Sequence, residues 1–192
     1  MASNTIEGIL GENEPAAEAL ATLVAGCRRQ EPTAQRELVR QTQDRVFRTV
    51  FRLVGPRDAE DVTQQVFFQV FRQLDRFSGE SAFSTWLYRV TVNEALQHLR
   101  GRRGPRVDPL SMEPEDRGPD CERQVEEREL LDRALSQIDA ELRVMFVLRE
   151  VDGLSYEQIA KTMDVPMGTV ASRLSRARQE LQDQLRRLGW NA

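Results

Sequence analysis

An all-α protein, with two small helical domains joined by a flexible linker, is the fold class that this 192-residue sequence predicts. Three observations lead there. Apolar residues recur three and four positions apart in one segment after another, the period of a helix with one buried face. Alternation of apolar and polar residues over strand length is nowhere signalled. The stretch from Gly101 to Gln124 holds four of the eight prolines and three glycines among mixed charges, with almost no large apolar residue, which is the composition of a linker. The expected organisation is a flexible tail over 1–14, a helical domain over 15–100, the linker over 101–124 and a second helical domain over 125–192.

Ala16 to Arg29 suits a short first helix. Then Val46, Val50, Phe51 and Val54 recur at helical spacing, followed by Val62, Val66, Phe67, Val70, Phe71 and Leu74, and by Phe83, Trp86, Leu87, Val90 and Leu96. Gly55-Pro56 and Ser78-Gly79 punctuate these segments. Beyond the linker, Val125 to Ile138 and Glu141 to Val151 predict two more helices.

Ser155 opens the next one. Its hydroxyl can accept from first-turn backbone donors, while Gln158, three residues on, can reach back to the Ser155 amide. That helix should end near Met163. Asp164 tolerates the left-handed conformation of a tight turn and Pro166 suits a new helix start, so the turn falls at Asp164 to Pro166. In the last helix Val170, Leu174, Ala177, Leu181, Leu185 and Leu188 form one apolar stripe. At about 100° per residue, Ser172, Arg176 and Gln179 lie opposite that stripe, with Arg173 and Arg178 on its flanks. This is the pattern of a helix-turn-helix whose second helix enters a DNA groove. Arginine grips guanine edges bidentately and serine or glutamine adapts to several bases, while flanking arginines suit phosphates. On this segment alone, the competing reading is a solvated arginine-rich face of an ordinary bundle.

Composition narrows the function. Asp and Glu number 31 against 27 Lys and Arg, a net charge of −4. A protein that binds DNA by itself usually has a basic footprint, so attraction to bulk DNA should be weak at physiological salt. Either the helix-turn-helix is a false match or another molecule brings the chain to DNA. No apolar run approaches the length of a membrane span, and the start, MASNTIEGILGENEP, lacks the regions of a signal peptide. The expected location is cytoplasmic, without membrane insertion. Cys27 and Cys121 lie far apart and His98 is the single histidine, so no disulfide, metal or other cofactor is expected. With no Cys-His constellation, phosphate loop or metal-ligand spacing, the chain is not expected to be an enzyme.

Four stretches in order, Asp58 to Phe67 (DAEDVTQQVF), Phe77 to Asn93 (FSGESAFSTWLYRVTVN), Gly153 to Ala160 (GLSYEQIA) and Gly168 to Arg178 (GTVASRLSRAR), closely resemble the extracytoplasmic-function (ECF, group 4) sigma factors of bacterial RNA polymerase, especially the sigma-E-like subgroup. The resemblance implies a sigma region 2 bundle before the linker and a region 4 helix-turn-helix after it. It also implies delivery to promoters by core RNA polymerase, which accounts for the acidic balance.

By the same resemblance Asp61, Gln64 and Gln65 contact the clamp helices of the largest polymerase subunit, and the beta flap is a second contact. Glu is common in the family where this chain has Gln65. Asp58, Glu60 and Asp61 also open a helix, where its partial charge favours carboxylates by about 0.3–1 kcal/mol each; for Asp58 that suffices. The loop from Phe77 to Phe83 is cast as the captor of a base flipped out of the −10 element, with Phe77 as aromatic wall or as simple core. Extrusion costs a few kcal/mol, which such a pocket offsets in part. Trp86 follows the apolar stripe and reads chiefly as core, with partial contact to melted DNA as its second role.

Arg89 and Asn93 share a face one turn apart, suited to reading the −10 element. Arg100, Arg102 and Arg103 grip phosphates or merely complement a helix C-terminus, and His98 reads as a surface or phosphate-side residue. The −35 readers map onto Ser172 and Arg176, beside Arg173 and Gln179. Ala171 and Ser175 depart from larger or basic residues common in the family. The linker is cast as threading the polymerase channel.

The function so implied is that of an alternative sigma factor, reading −35 as duplex and melting −10, in a stress or envelope response controlled by an anti-sigma factor. The alternative is a stand-alone helix-turn-helix transcriptional regulator, usually a symmetric dimer. The absence of sustained heptads and the acidic balance argue against it.

Overall fold

The computed structural model describes residues 14–101 and 130–190. The expected tail up to residue 13, the linker beyond Gly101, the start of the helix expected from Val125, and Arg102, Arg103 and Cys121 lie outside the described residues. Among those described, all regular structure is helical: α1 (Glu14–Arg28), α2 (Pro32–Val54), α3 (Ala59–Gln73) running into a 3₁₀ turn (Leu74–Arg76), and α4 (Phe83–Gly101). Helical residues 130–136 form α5. Then come α6 (Ala140–Glu150), α7 (Tyr156–Met163) and α8 (Met167–Arg187).

α1 and α2 form a tight hairpin whose turn uses Gln30 at φ 59. Gly26 permits the close approach, since a β-carbon there would stand 2.7 Å from Ala34 Cβ. Cys27 is buried beside it, and burial, helped by Glu31, pushes its thiol pKa up. α2 begins at Pro32, well ahead of Val46, where its apolar recurrence becomes plain. Ala34, Leu38 and Thr42 continue the buried face upstream. Thr42 can occupy an apolar position because its hydroxyl donates to the Leu38 carbonyl at 2.7 Å. Gly55, at φ 89, ends the helix.

α3 buries Ala59, Val62, Val66 and Val70, and its first residue is preceded by Asp58. The Asp58 carboxylate is 2.8 Å from Nε2 of the half-buried His98 on α4. His98, still partly exposed, therefore ties α4 to the start of α3. α4 is buried on several sides, with Leu87, Tyr88, Val90, Val92, Ala95 and Leu96 all enclosed. α2 and α3 cover it from one side, and α6 and α7 of the second domain from another. The two helical domains thus share one core, in which Met145, Leu148, Leu154, Ile159 and Leu174 join the residues of α1 to α4. A smaller cluster of Ala134, Leu135, Ile138, Leu142, Ala177 and Leu181 ties α5, α6 and α8.

Asp152 holds the domain junction. It follows α6 in a turn closed by the Asp152 amide on the Val147 carbonyl (3.0 Å) and the Leu154 amide on the Leu148 carbonyl (2.9 Å). The side chain is 1 % exposed. Tyr88 of α4 donates its hydroxyl to Oδ2 at 2.7 Å, and the Arg52 guanidinium of α2 stands 2.9 Å from Oδ1 without hydrogen-bond alignment. Burial raises the carboxyl pKa above the usual aspartate range, opposed by Arg52 and by the Tyr88 hydrogen bond. Burial, and then Asp152 itself, pushes the Tyr88 phenol up as well.

A carboxyl whose pKa is raised on folding binds its proton more tightly in the native state. Its contribution is complete below the unfolded-chain value and is lost as pH rises through the folded value. Asp152→Asn keeps an acceptor for Tyr88 and abolishes that titration. Urea unfolding midpoints of the wild type are expected to fall across this acidic window, and those of the variant to vary less; parallel curves would show that Asp152 does not titrate with folding.

Candidate nucleic-acid interface

The helix-turn-helix forms as its local chemistry dictates. Ser155 Oγ accepts from the Gln158 amide at 3.2 Å, and Gln158 Oε1 accepts from the Ser155 amide at 2.7 Å. This closes the reciprocal cap that opens α7. Asp164 ends the helix in the left-handed region at φ 52, ψ 52, and Pro166 precedes α8. Val170, Leu174, Ala177 and Leu181 are buried. The stripe then runs out: Leu185 is half-buried and Leu188, at the C-cap, is 40% exposed. The expectation that Leu188 continues the buried stripe is corrected, since it lies past the end of α8 and, among the described residues, no helix covers it.

Ser172, Arg176 and Gln179 are exposed opposite the stripe, and Ala171 and Ser175 are exposed beside them; Arg173 is half-buried. Arg173, Arg176 and Arg178 all have carboxylate partners. Arg176 Nε lies 2.7 Å from Glu180, one turn on, and Arg178 bridges to Glu150 of α6 at 2.8 Å. Arg173 pairs with Glu141 of α6. Arg100, at the far end of α4, pairs with that same Glu141. One carboxylate therefore holds one candidate phosphate contact from each domain, a juxtaposition that no local pattern announces.

On the first domain, Phe77, Phe83 and Trp86 form an aromatic cluster with centroids 5.4–5.7 Å apart. Phe83 is buried, whereas Phe77 and Trp86 are half-buried at the surface. The two readings of Phe77 merge, since the ring packs on the core and still borders the loop. Trp86 likewise packs on the core and reaches the same rim. Residues 78–82 are exposed, with Gly79 at φ 81. Arg89 is half-buried and Asn93 exposed, one turn farther along α4.

Asp61, Gln64 and Gln65 line one exposed face of α3. Phe68 continues that face and is 61% exposed. Its spacing of three and four residues from Gln65 and Gln64 was the available signal, hidden because Phe68 sits beside Phe67 in an apolar run. A second apolar feature is an open groove of ≈ 410 Å³ between α6 and α8, lined by Phe146, Arg178, Gln179, Leu181, Gln182 and Leu185. Among the described residues no group of three His, Cys, Asp or Glu side chains could hold a metal ion, and no helix is long and apolar enough to cross a membrane.

Residues 38–104 match the family described as Sigma-70 region 2, and residues 128–181 match Sigma-70, region 4. The ECF RNA polymerase sigma-E factor of Escherichia coli is 40% identical over 164 residues, covering 79% of this chain and 86% of that protein. The chain belongs to the ECF sigma factors of RNA polymerase. The sigma-E factor of Haemophilus influenzae is 40% identical over 165 residues, with 79% and 87% covered. Two solved structures share the fold of this ECF sigma factor at 24% identity. CnrH in complex with the cytosolic domain of CnrY gives a TM-score of 0.59, covering 88% of this chain and 96% of that one. The sigma factor RpoE in complex with the anti-sigma factor NepR from Bartonella quintana gives 0.54, covering 79% and 96%. The family's work, directing core RNA polymerase to specific promoters, is the function of this chain.

Glu141→Gln removes the charge that neutralises Arg100 and Arg173. Binding of the free protein to duplex DNA is expected to tighten, and the slope of log affinity against log salt to steepen by about 0.9 for each arginine that gains a phosphate. Fluorescence anisotropy over a salt series reads both; an unchanged slope would mean that Glu141 shields neither arginine.

Proposed function

We propose that the two halves of this sigma factor divide promoter recognition. Residues 15–100 dock on core polymerase and capture the −10 element, while residues 125–192 read −35 as duplex. The observation that carries this is the face of α8: Ser172, Arg176 and Gln179 stand exposed opposite a buried stripe, behind a turn shaped by Asp164. Arg176 grips a guanine edge once it leaves Glu180, Ser172 and Gln179 adapt to neighbouring bases, and Arg173 holds a phosphate.

On the first domain, Phe77 and Trp86 border the pocket that receives an extruded base. Arg89 and Asn93 contact the melted strand, and Arg100, Arg102 and Arg103 hold its backbone. Asp61, Gln64 and Gln65, together with Phe68, meet the clamp helices of the largest polymerase subunit. An exposed aromatic flanked by polar groups is the composition of an interface centre. The apolar part of the groove, at Phe146, Leu181 and Leu185, receives the beta flap and leaves Gln179 to the duplex. Residues 101–124 link the two halves as they engage. The protein works in the cytoplasm without catalysis of its own, in a stress or envelope response held in check by an anti-sigma factor.

Elements named −35 and −10 lie about 25 base pairs apart, about 85 Å along the duplex at about 3.4 Å per pair. Here α4 touches α6 and α7. The two domains therefore separate when both elements are held, and Arg100 and Arg173 leave Glu141 in the process.

Run-off transcription from a pool of genomic promoter fragments, with core polymerase and with or without this protein, tests the reading. New starts sharing −35 and −10 elements only in its presence support it. Tight sequence-specific DNA binding without core, and no new starts with it, would instead favour a stand-alone regulator. Arg176→Ala is expected to lower −35-dependent transcription about tenfold or more with core binding intact. Phe68→Ala should do the reverse, weakening core binding in a competition assay while leaving the protein's melting temperature in place; equal losses of both activities in both variants would contradict the division.

A further inference from the structure

The end of α1 touches the loop that the preceding reading assigns to the −10 element, and it does so through one side chain. Arg28, in the last turn of α1, donates from Nε and Nη2 to the Leu74 carbonyl, each at 3.3 Å. Nη2 also donates to the Phe77 carbonyl. The guanidinium lies 6.0 Å from the centroid of the Phe77 ring. These two carbonyls bracket the chain's exit from the 3₁₀ turn, which is itself closed by the Phe77 amide on Leu74 O at 3.2 Å. One planar fork thus fixes the backbone on both sides of the turn and lies over the ring that borders the loop. Arg28 precedes residues 38–104, the part of the chain matched as Sigma-70 region 2.

We propose that Arg28 is a positioning residue for −10 recognition: α1 braces the loop from Phe77 to Phe83 through the Leu74 and Phe77 carbonyls, so that the pocket for the extruded base is formed before DNA arrives. The proposal rests on the reading of that loop as the −10 captor. Its physical basis is preorganisation. Residues 78–82 are exposed, Gly79 leaves them conformational freedom at φ 81, and ordering a loop on binding subtracts from affinity. Anchoring its entry at Arg28 and its exit at buried Phe83 removes part of that cost in advance. Arginine suits the task because its rigid fork spans two acceptors, whereas a lysine ammonium is a point charge on a flexible stem. Arg28's partners are carbonyl oxygens, so the bonds hold the backbone and leave the positive charge at the mouth of the pocket.

The test uses holoenzyme reconstituted from core polymerase and full-length wild type, Arg28→Ala or Arg28→Lys, on a promoter found by the run-off experiment. The −10 bases are replaced one at a time by the fluorescent adenine analogue 2-aminopurine, and a parallel template is premelted across −10. Arg28→Ala is expected to lower open-complex formation on duplex about tenfold, the loss that goes with removing charged hydrogen bonds. It should also reduce discrimination between bases at the captured position on the premelted template, with core affinity and melting temperature unchanged. Arg28→Lys should resemble Arg28→Ala, because one ammonium cannot span both carbonyls. Full recovery by lysine would overturn the brace in favour of a simple charge contact with phosphate. Unaltered base discrimination, or parallel loss of core binding and thermal stability, would overturn it too. If Arg28→Ala starts transcripts as well as wild type, the brace is wrong while the sigma reading stands. If wild type itself gives fluorescence changes at no −10 position, the loop assignment falls and the proposal with it.

Discussion

The buried carboxylate of Asp152 is the constraint on which the arrangement of the molecule depends. A charge enclosed to 1% exposure is costly unless partners surround it. The partners here come from the other domain: Tyr88 from α4 and Arg52 from α2. The carboxylate is held in place by its own backbone turn, so the contact fixes how the second domain is aligned on α4 once apolar packing has brought the two together. Apolar packing of Leu148, Leu154 and Ile159 against the first domain's core gives this junction its affinity. The Tyr88–Asp152–Arg52 contact gives it a register, because an offset would leave a buried charge without a donor.

That junction also locates the acidity that composition alone could not place. Glu141, Glu150 and Glu180 sit beside Arg100, Arg173, Arg176 and Arg178, the arginines proposed to meet DNA or flanking that face. Four arginines proposed to meet DNA or to flank that face are thus matched by carboxylates, one of them, Arg100, across the domain junction, which weakens attraction to DNA in general. Such surface pairs are individually worth about 0–1 kcal/mol. Polymerase and a correctly spaced promoter can therefore exchange them without large opposing energy, while random DNA offers little reason to do so. A net charge of −4 is compatible with a DNA-binding protein on these terms.

Local structure was legible in the sequence wherever the deciding interaction spans three or four residues. The Ser155–Gln158 cap, the left-handed Asp164 and the stripe from Val170 to Leu181 all rest on such contacts, and each is present. Legibility failed where a residue type disguised its role. Thr42 holds an apolar position because its hydroxyl bonds within the helix, which hid the first half of α2. Leu188 looked like core and is not, because burial requires a neighbour as well as a period. Phe68 lies outside the apolar stripe read for α3, which gave it no role, and it faces outward.

The sequence by itself determined the all-helical class, the helix-turn-helix with its exposed arginine face, and four motifs in the order of a sigma factor, because periodicity, caps and turns are properties of neighbouring residues. Only the tertiary structure decided that the two domains share a core, that His98 ties Asp58, that Glu141 gathers Arg100 and Arg173, and that Arg28 grips the approach to the Phe77 loop. Those pairs are separated by 40, 41, 32 and 49 positions. Contacts at such range depend on where whole helices come to rest, and that is set by the sum of packing over the core rather than by any local pattern along the chain.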